Sequence, residues 1–194
     1  MLIDSFAEDL AHVDLDPSLE HYLLIDGAFV PRLHRKVADD GKRLLFEALP
    51  GCTDETKDVS PFLTRFDSAG KKLIQSCDRW PMISLIETRE SLEELFQRLS
   101  AWCVIEADGD RFNFRFADTR RLPAIYRSLN QTQRGQFAGP AVRWFYIARD
   151  GKWRALELDS PGTNIESNPR LDQVQFGSLV DDSRADEILR LLRD

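Results

Sequence analysis

Cysteine is scarce in this chain: Cys52, Cys77 and Cys103 are the three in 194 residues. They are odd in number and widely spaced, which argues against a disulfide framework and fits a reducing compartment. No C-x-x-C occurs. Histidine is as sparse, and His12, His21 and His34 pair with no other His or Cys at ligand spacing. The sequence therefore points to no transition-metal site. The ten glycines form neither G-x-G-x-x-G nor G-x-x-x-x-G-K, so no phosphate-cradling loop and no cofactor is expected. Apolar runs such as "YLLI" and "WFYIA" last only a few residues, too short for a transmembrane helix. The start, "MLIDSFAEDL", carries acids where a signal peptide has bases, and the expected location is cytoplasmic. No internal repeat or low-complexity tract is present.

What remains is a soluble globular composition, 42% hydrophobic and 30% charged, long enough for one domain with a core of its own. Its formal net charge of −7 conceals an asymmetry. Residues 1–110 hold 12 basic and 22 acidic side chains, whereas residues 111–149 hold 8 arginines and one acid, Asp118. Every cation of that block is Arg, the residue suited to planar, bidentate and stacking contacts. Phe, Tyr and Trp are interleaved with it.

The apolar pattern predicts a mixed α/β fold. Residues 1–20 read as a lead-in with a short helix around Ile3 to Leu10. Tyr22 to Asp26 reads as a buried strand, the stretch from Phe29 to Gly41 as a short helix, and Arg43 to Leu49 as a second strand. That order implies a βαβ unit and a partly parallel sheet. Pro61 to Phe66 and Trp80 to Glu87 read as further strands, with a short helix between them. Ser91 and Glu94 form a capping-box pattern ahead of Leu92, Leu95, Phe96 and Leu99. Asp108-Gly109 and Asp150-Gly151 signal hairpins. Between them lie two helices, one with Asp118 as expected N-cap and one capped by Asn130 and ended by Gly139-Pro140. A soft boundary near residue 100 divides a βαβ-type half from a half of hairpins and short helices that shares its core. The main domain spans 21–158; residues 159–194 read as a loop and an amphipathic C-terminal helix.

Catalytic constellations are weak. The carboxylate pairs Asp108/Asp110, Glu93/Glu94 and Asp181/Asp182 read most simply as solvated turns and helix faces. Cys77 is a candidate nucleophile for a small hydrolase only if a distant His reaches it. The arginine–aromatic block admits three readings: a salt-bridged surface, a nucleic-acid platform, or a protein interface. The acidic remainder opposes the second. The two hairpins also offer edge strands for augmentation.

The order of short blocks resembles a known family. "YLLIDGA", "DVSPFL", "CDRWPMISLIE" with "SLEELFQRL", "RFNFRFADTRRLPAI" and "QFAGPAVRWFYIARDGKW" are similar to the type VI secretion effector chaperones, or adaptors, defined by domain of unknown function 4123. Ala117 and Thr119 stand where the family commonly has an aromatic and a proline. The resemblance implies a cytoplasmic, non-enzymatic protein that holds a toxic effector and helps load it onto the valine-glycine-repeat spike. It implies that Trp80, Arg115, Arg120, Arg121, Arg143 and Trp144 lie at a partner surface, with apolar burial in a groove and arginines at its rim.

Overall fold

A computed structural model describes residues 14–77, 80–159 and 169–179. The helices expected near Ile3 to Leu10 and beyond residue 181 lie outside them. Six strands form one sheet: β1 (Glu20–Ile25), β2 (Lys42–Leu44), β3 (Phe62–Arg65), β4 (Ile83–Thr88), β7 (Ala141–Ile147) and β8 (Trp153–Ala155), in the order β2-β3-β1-β4-β7-β8. A hairpin of β5 (Val104–Ala107) and β6 (Asp110–Asn113) makes a second, small sheet. The helices are α1 (Asp54–Asp58), α2 (Ser68–Ser76), α3 (Leu92–Ala101), α4 (Leu122–Ser128) and α5 (Gln131–Ala138), and residues 173–179 are also helical.

The expected βαβ unit and parallel pairing are corrected by this topology. Every pair of neighbouring strands in the six-stranded sheet is antiparallel. The misleading signal was the unbroken apolar run of β1. Tyr22, Leu23, Leu24 and Ile25 are all fully buried, which is the mark of a parallel strand covered on both faces. Here β1 is a central strand of an antiparallel sheet with a core on each side. Nor does a helix follow it: Leu33–Lys36 and Asp39–Gly41 are short 3-10 turns after Arg32 at φ 68. The second strand stops at Leu44, and Leu45–Ala48 is again a 3-10 turn.

One face of the sheet buries Tyr22, Leu24, Ile86 and Trp144 against α3, α4, α5 and the small hairpin. The other buries Leu23, Ile25, Leu85 and Ile147 against α2 and the 33–37 turn. β4 and β7 come from opposite sides of residue 100 and pair directly, so the two halves share one sheet, and both contribute to the core on each of its faces. Among the described residues no helix is long and apolar enough to cross a membrane.

Local chemistry explains the secure elements. The Ser91 hydroxyl accepts the Glu94 N–H at 3.3 Å, and the Glu94 carboxylate accepts the Ser91 N–H at 2.8 Å. Asn130 and Gln133 make the same reciprocal cap. Asp108 and Gly109 both adopt positive φ at the tip of the β5–β6 hairpin, as a two-residue turn of this type requires. Gly139 also has positive φ, and a Cβ there would collide with the Arg98 guanidinium. Arg98 itself is buried, forked onto Glu90 and bonded to the Phe137 carbonyl.

Candidate functional site

The β1–β4 register sets the two ends of the large sheet. Ile25 lies opposite Ile83 and Glu20 opposite Thr88. Asp26, Trp80 and the segment after Phe114 therefore gather at one end, and Glu87 and Arg143 lie toward the other.

At the first end three of the expected arginines converge on one buried acid. Asp118 is fully buried. Arg120 grips it with both nitrogens of a fork, Nε at 2.8 Å and Nη2 at 2.7 Å. Arg115 and Arg121 stand at 3.8 and 3.9 Å. The expected N-cap role of Asp118 is corrected: α4 begins later, with Arg121 at its N-cap and no side-chain cap bond. The Asp118 carboxylate instead accepts the Arg120 N–H at 3.2 Å, closing a local turn at the centre of the three arginines.

Arg115 also reaches back to the end of β1, where its Nη2 lies 3.1 Å from Asp26. Asp26 is buried and accepts the Ala28 N–H as well. Burial holds its carboxyl above the usual aspartate range, and the Ala28 N–H and Arg115 offset this only in part. Beside the pair is a pocket of about 80 Å³. Its apolar wall is Phe46, Val59 and Pro61, and its polar wall is Asp26, Asn113 and Arg115.

Trp80 stands at the same end and is half exposed, at 49%. Its ring meets Phe29 edge-on at 5.9 Å, and the Arg120 guanidinium lies 4.8 Å from the Phe29 ring centre on its face. Trp80, Phe29 and Arg120 thus form a continuous aromatic–cation ridge beside the Asp118 cluster.

Two expected site residues are placed elsewhere. Trp144 is fully buried and stacks on Phe137 at 5.3 Å; it is a core residue with no surface to offer a partner. Arg143 lies toward the far end of the sheet, forked onto the fully buried Glu87 through Nε and Nη2. His21 Nε2 lies 3.2 Å from the same carboxylate, and the Asp16 N–H donates to it at 2.6 Å. His21, Glu87 and Arg143 occupy directly paired positions on β1, β4 and β7. Burial alone would raise the Glu87 carboxyl, but Arg143, the Asp16 N–H and His21 together hold it below the usual glutamate range. Arg143 also donates to the Asp14 carbonyl at 2.6 Å, so the row clasps the segment leading into β1.

Asp26 and Glu87 were missed by sequence reasoning, which treated the first as a strand terminator and the second as a strand end. Among the described residues the catalytic candidates are not brought together. Cys77 is buried, burial raises its thiol, and its recorded side-chain neighbour is Ser76 Oγ at 3.8 Å. Asp108 and Asp110 sit exposed at a hairpin tip, and Glu93 and Glu94 serve Arg43, Gln97 and the Ser91 cap. Asp181 and Asp182 lie outside the described residues. Among the described residues, no three His, Cys, Asp or Glu side chains are grouped to hold a metal ion.

No curated protein and no solved structure shows significant similarity to this chain. The model of one family does match, over residues 21–136, which takes in β1 to α5 and with them Trp80, the Asp118 cluster and the pocket. That match covers more than half of the sequence, and the chain belongs to the family described as Domain of unknown function (DUF4123).

Proposed function

We propose that the protein is a non-enzymatic cytoplasmic adaptor that binds a type VI secretion effector and helps load it onto the spike protein. The reading is supported by the family blocks and by one feature of the geometry. A single end of the sheet combines a half-exposed Trp80, the Phe29–Arg120 ridge, three clustered arginines and an apolar-walled pocket. Exposed Trp and Arg beside a small pocket is the composition of an interface hot spot. The mechanism is apolar burial at Trp80 and the pocket, with guanidinium groups pairing the client's carboxylates around them. Nothing in this mechanism makes or breaks a covalent bond, and the buried Cys77 thiol is of no use to it.

Co-purification tests the reading. The chain is expressed together with a type VI secretion effector and spike protein of its own organism. The expected result is a complex with the effector that weakens only several-fold between low and physiological salt, since buried contacts are not screened. Recovery of neither protein overturns the proposal. A steep logarithmic loss with salt on a nucleic-acid probe, reporting several released counterions, would replace it with a nucleic-acid module.

A further inference from the structure

Among the described residues, the small sheet has one edge filled and one edge open. β5 is flanked on its outer side by the chain returning at 169–171: Glu106 N–H donates to the Pro169 carbonyl at 3.0 Å, and Leu171 N–H donates to the Glu106 carbonyl at 2.9 Å. Among the described residues, β6 pairs with β5 alone. Inward and outward main-chain groups alternate along an antiparallel pair. Phe114 N–H bonds inward, to the Cys103 carbonyl. Counting back from it through the register, Phe112 also faces β5, and Arg111 and Asn113 turn both their N–H and C=O outward. Neither has a main-chain partner among the described residues.

The open edge leads into the site. Arg111, Asn113 and Arg115 alternate onto one exposed face, and Asn113 and Arg115 form part of the pocket wall. Arg115 makes both of its recorded ion pairs through Nη2. Its Nε and Nη1 have no partner among the described residues, and its side chain is 43% exposed. A guanidinium with two donors uncommitted, beside unpaired strand groups and an apolar-walled pocket, specifies its occupant.

We infer that the β6 edge takes an extended segment of the client, which adds to Arg111–Asn113 as a new strand. It places a small aliphatic side chain in the pocket and a carboxylate on Arg115. The inference rests on the adaptor reading and gives it a binding mode. At about 80 Å³ the pocket is too small for an aromatic ring, since a cavity of about 150 Å³ is what accepts a benzene. A second copy of this chain paired about Asn113 would set Arg111 against Arg115, and like charges directly opposite destabilise a ladder. An acidic strand meets no such penalty. Main-chain bonds supply affinity, and the pocket and Arg115 supply selection.

The test uses the full chain, free and in complex with the co-expressed type VI secretion effector of its own organism. In the free chain the Arg111 and Asn113 amides should exchange much faster than those of Phe112 and Phe114. In the complex both should slow by about tenfold or more, as for newly bonded amides. Asn113→Pro removes the outward N–H and leaves the β5 ladder intact. It should weaken binding about tenfold more than Asn113→Ala. Arg115→Gln should weaken binding and reduce its salt dependence, while Val142→Ser, on an exposed bulge of β7, serves as the surface control. If Asn113→Pro fails to fold, the exchange data and Arg115→Gln decide. Protection of both amides in the free chain overturns the inference, because the edge is then already occupied. A complex that forms with unchanged exchange, and with Asn113→Pro equal to Asn113→Ala, overturns the edge but leaves the adaptor standing. Recovery of no effector removes both.

Discussion

Two buried carboxylates, Glu87 and Asp26, each face an arginine toward opposite ends of one sheet, and their acidities move in opposite directions. Glu87 is held below the usual glutamate range and Asp26 above the usual aspartate range. Burial pushes both upward. Donor supply separates them. Glu87 receives a two-pronged Arg143, the Asp16 N–H and a close His21. Asp26 receives one nitrogen of Arg115 and the Ala28 N–H. The first site is complete within the fold. The second leaves a guanidinium half committed beside a pocket, as a site that awaits a partner would.

The largest expected effect comes from removing the arginine on each side. Arg143→Ala leaves the Glu87 carboxylate buried without its main counter-charge, and it should cost about 3 kcal/mol of stability, the scale for breaking a buried pair. Arg115→Ala should cost about 1 kcal/mol, because Asp118 keeps the Arg120 fork and Asp26 can take up a proton instead. Urea unfolding at neutral pH measures both, with an unchanged slope as the control for two-state behaviour. Equal losses would break the comparison and make donor number irrelevant.

What the sequence disclosed follows the same division between local and distant. The capping box at Ser91, the Asn130 cap and the Asp-Gly turns depend on residues a few positions apart, and each was legible; that Gln133 completes a second box at Asn130 was not read. Asp118 stands next to Arg120 and Arg121 in the sequence, but it was read as a helix N-cap, and its form as a buried hub was not expected. The partners of Arg115 and Arg143 lie 89 and 56 residues away, and no spacing rule reaches that far. Strand direction was illegible for a related reason. β1 from Tyr22 onward and β4 are buried on both faces, so neither shows the alternation that separates a solvated antiparallel strand from a buried parallel one. Trp144 was hidden for another reason: β7 alternates in burial, with Trp144 buried between half-buried Arg143 and Phe145, but Trp144, Phe145 and Tyr146 are all aromatic, so the residue types do not show which face is inward. Trp80 was named through the family resemblance, and the strand expected to begin there begins at Ile83 instead.

A smaller effect, with a pH signature, is expected at Glu87. Its folded acidity is stronger than its unfolded acidity. Its pairing therefore contributes stability that is complete above the ordinary glutamate value and is lost as pH falls through the lowered folded value. Glu87→Gln cannot titrate and should be about 2 kcal/mol less stable than the parent at neutral pH. The gap should narrow steadily below about pH 4. Unfolding free energies of the two proteins, measured from neutral to acid, check this. A gap that stays constant with pH would mean that shape, and not charge, is what Glu87 supplies.

The smallest effect carries the opposite sign. Asp26 has a raised folded value, so its contribution is complete below the ordinary aspartate value and is lost as pH rises through the folded one. At neutral pH the ionised carboxylate is a burden that one nitrogen of Arg115 only partly relieves. Asp26→Asn keeps an oxygen for the Ala28 N–H and removes the charge. It should match the parent at neutral pH or exceed it by about 0.5 kcal/mol, and lose that advantage in acid. The crossing is the informative feature: Glu87→Gln approaches its parent from below as pH falls, whereas Asp26→Asn starts level or above and declines. If Asp26→Asn is instead as damaging as Glu87→Gln at neutral pH, the Arg115–Asp26 pair is a finished internal bridge. The guanidinium then has no attraction to spare, and the pocket end loses its claim to a client's carboxylate.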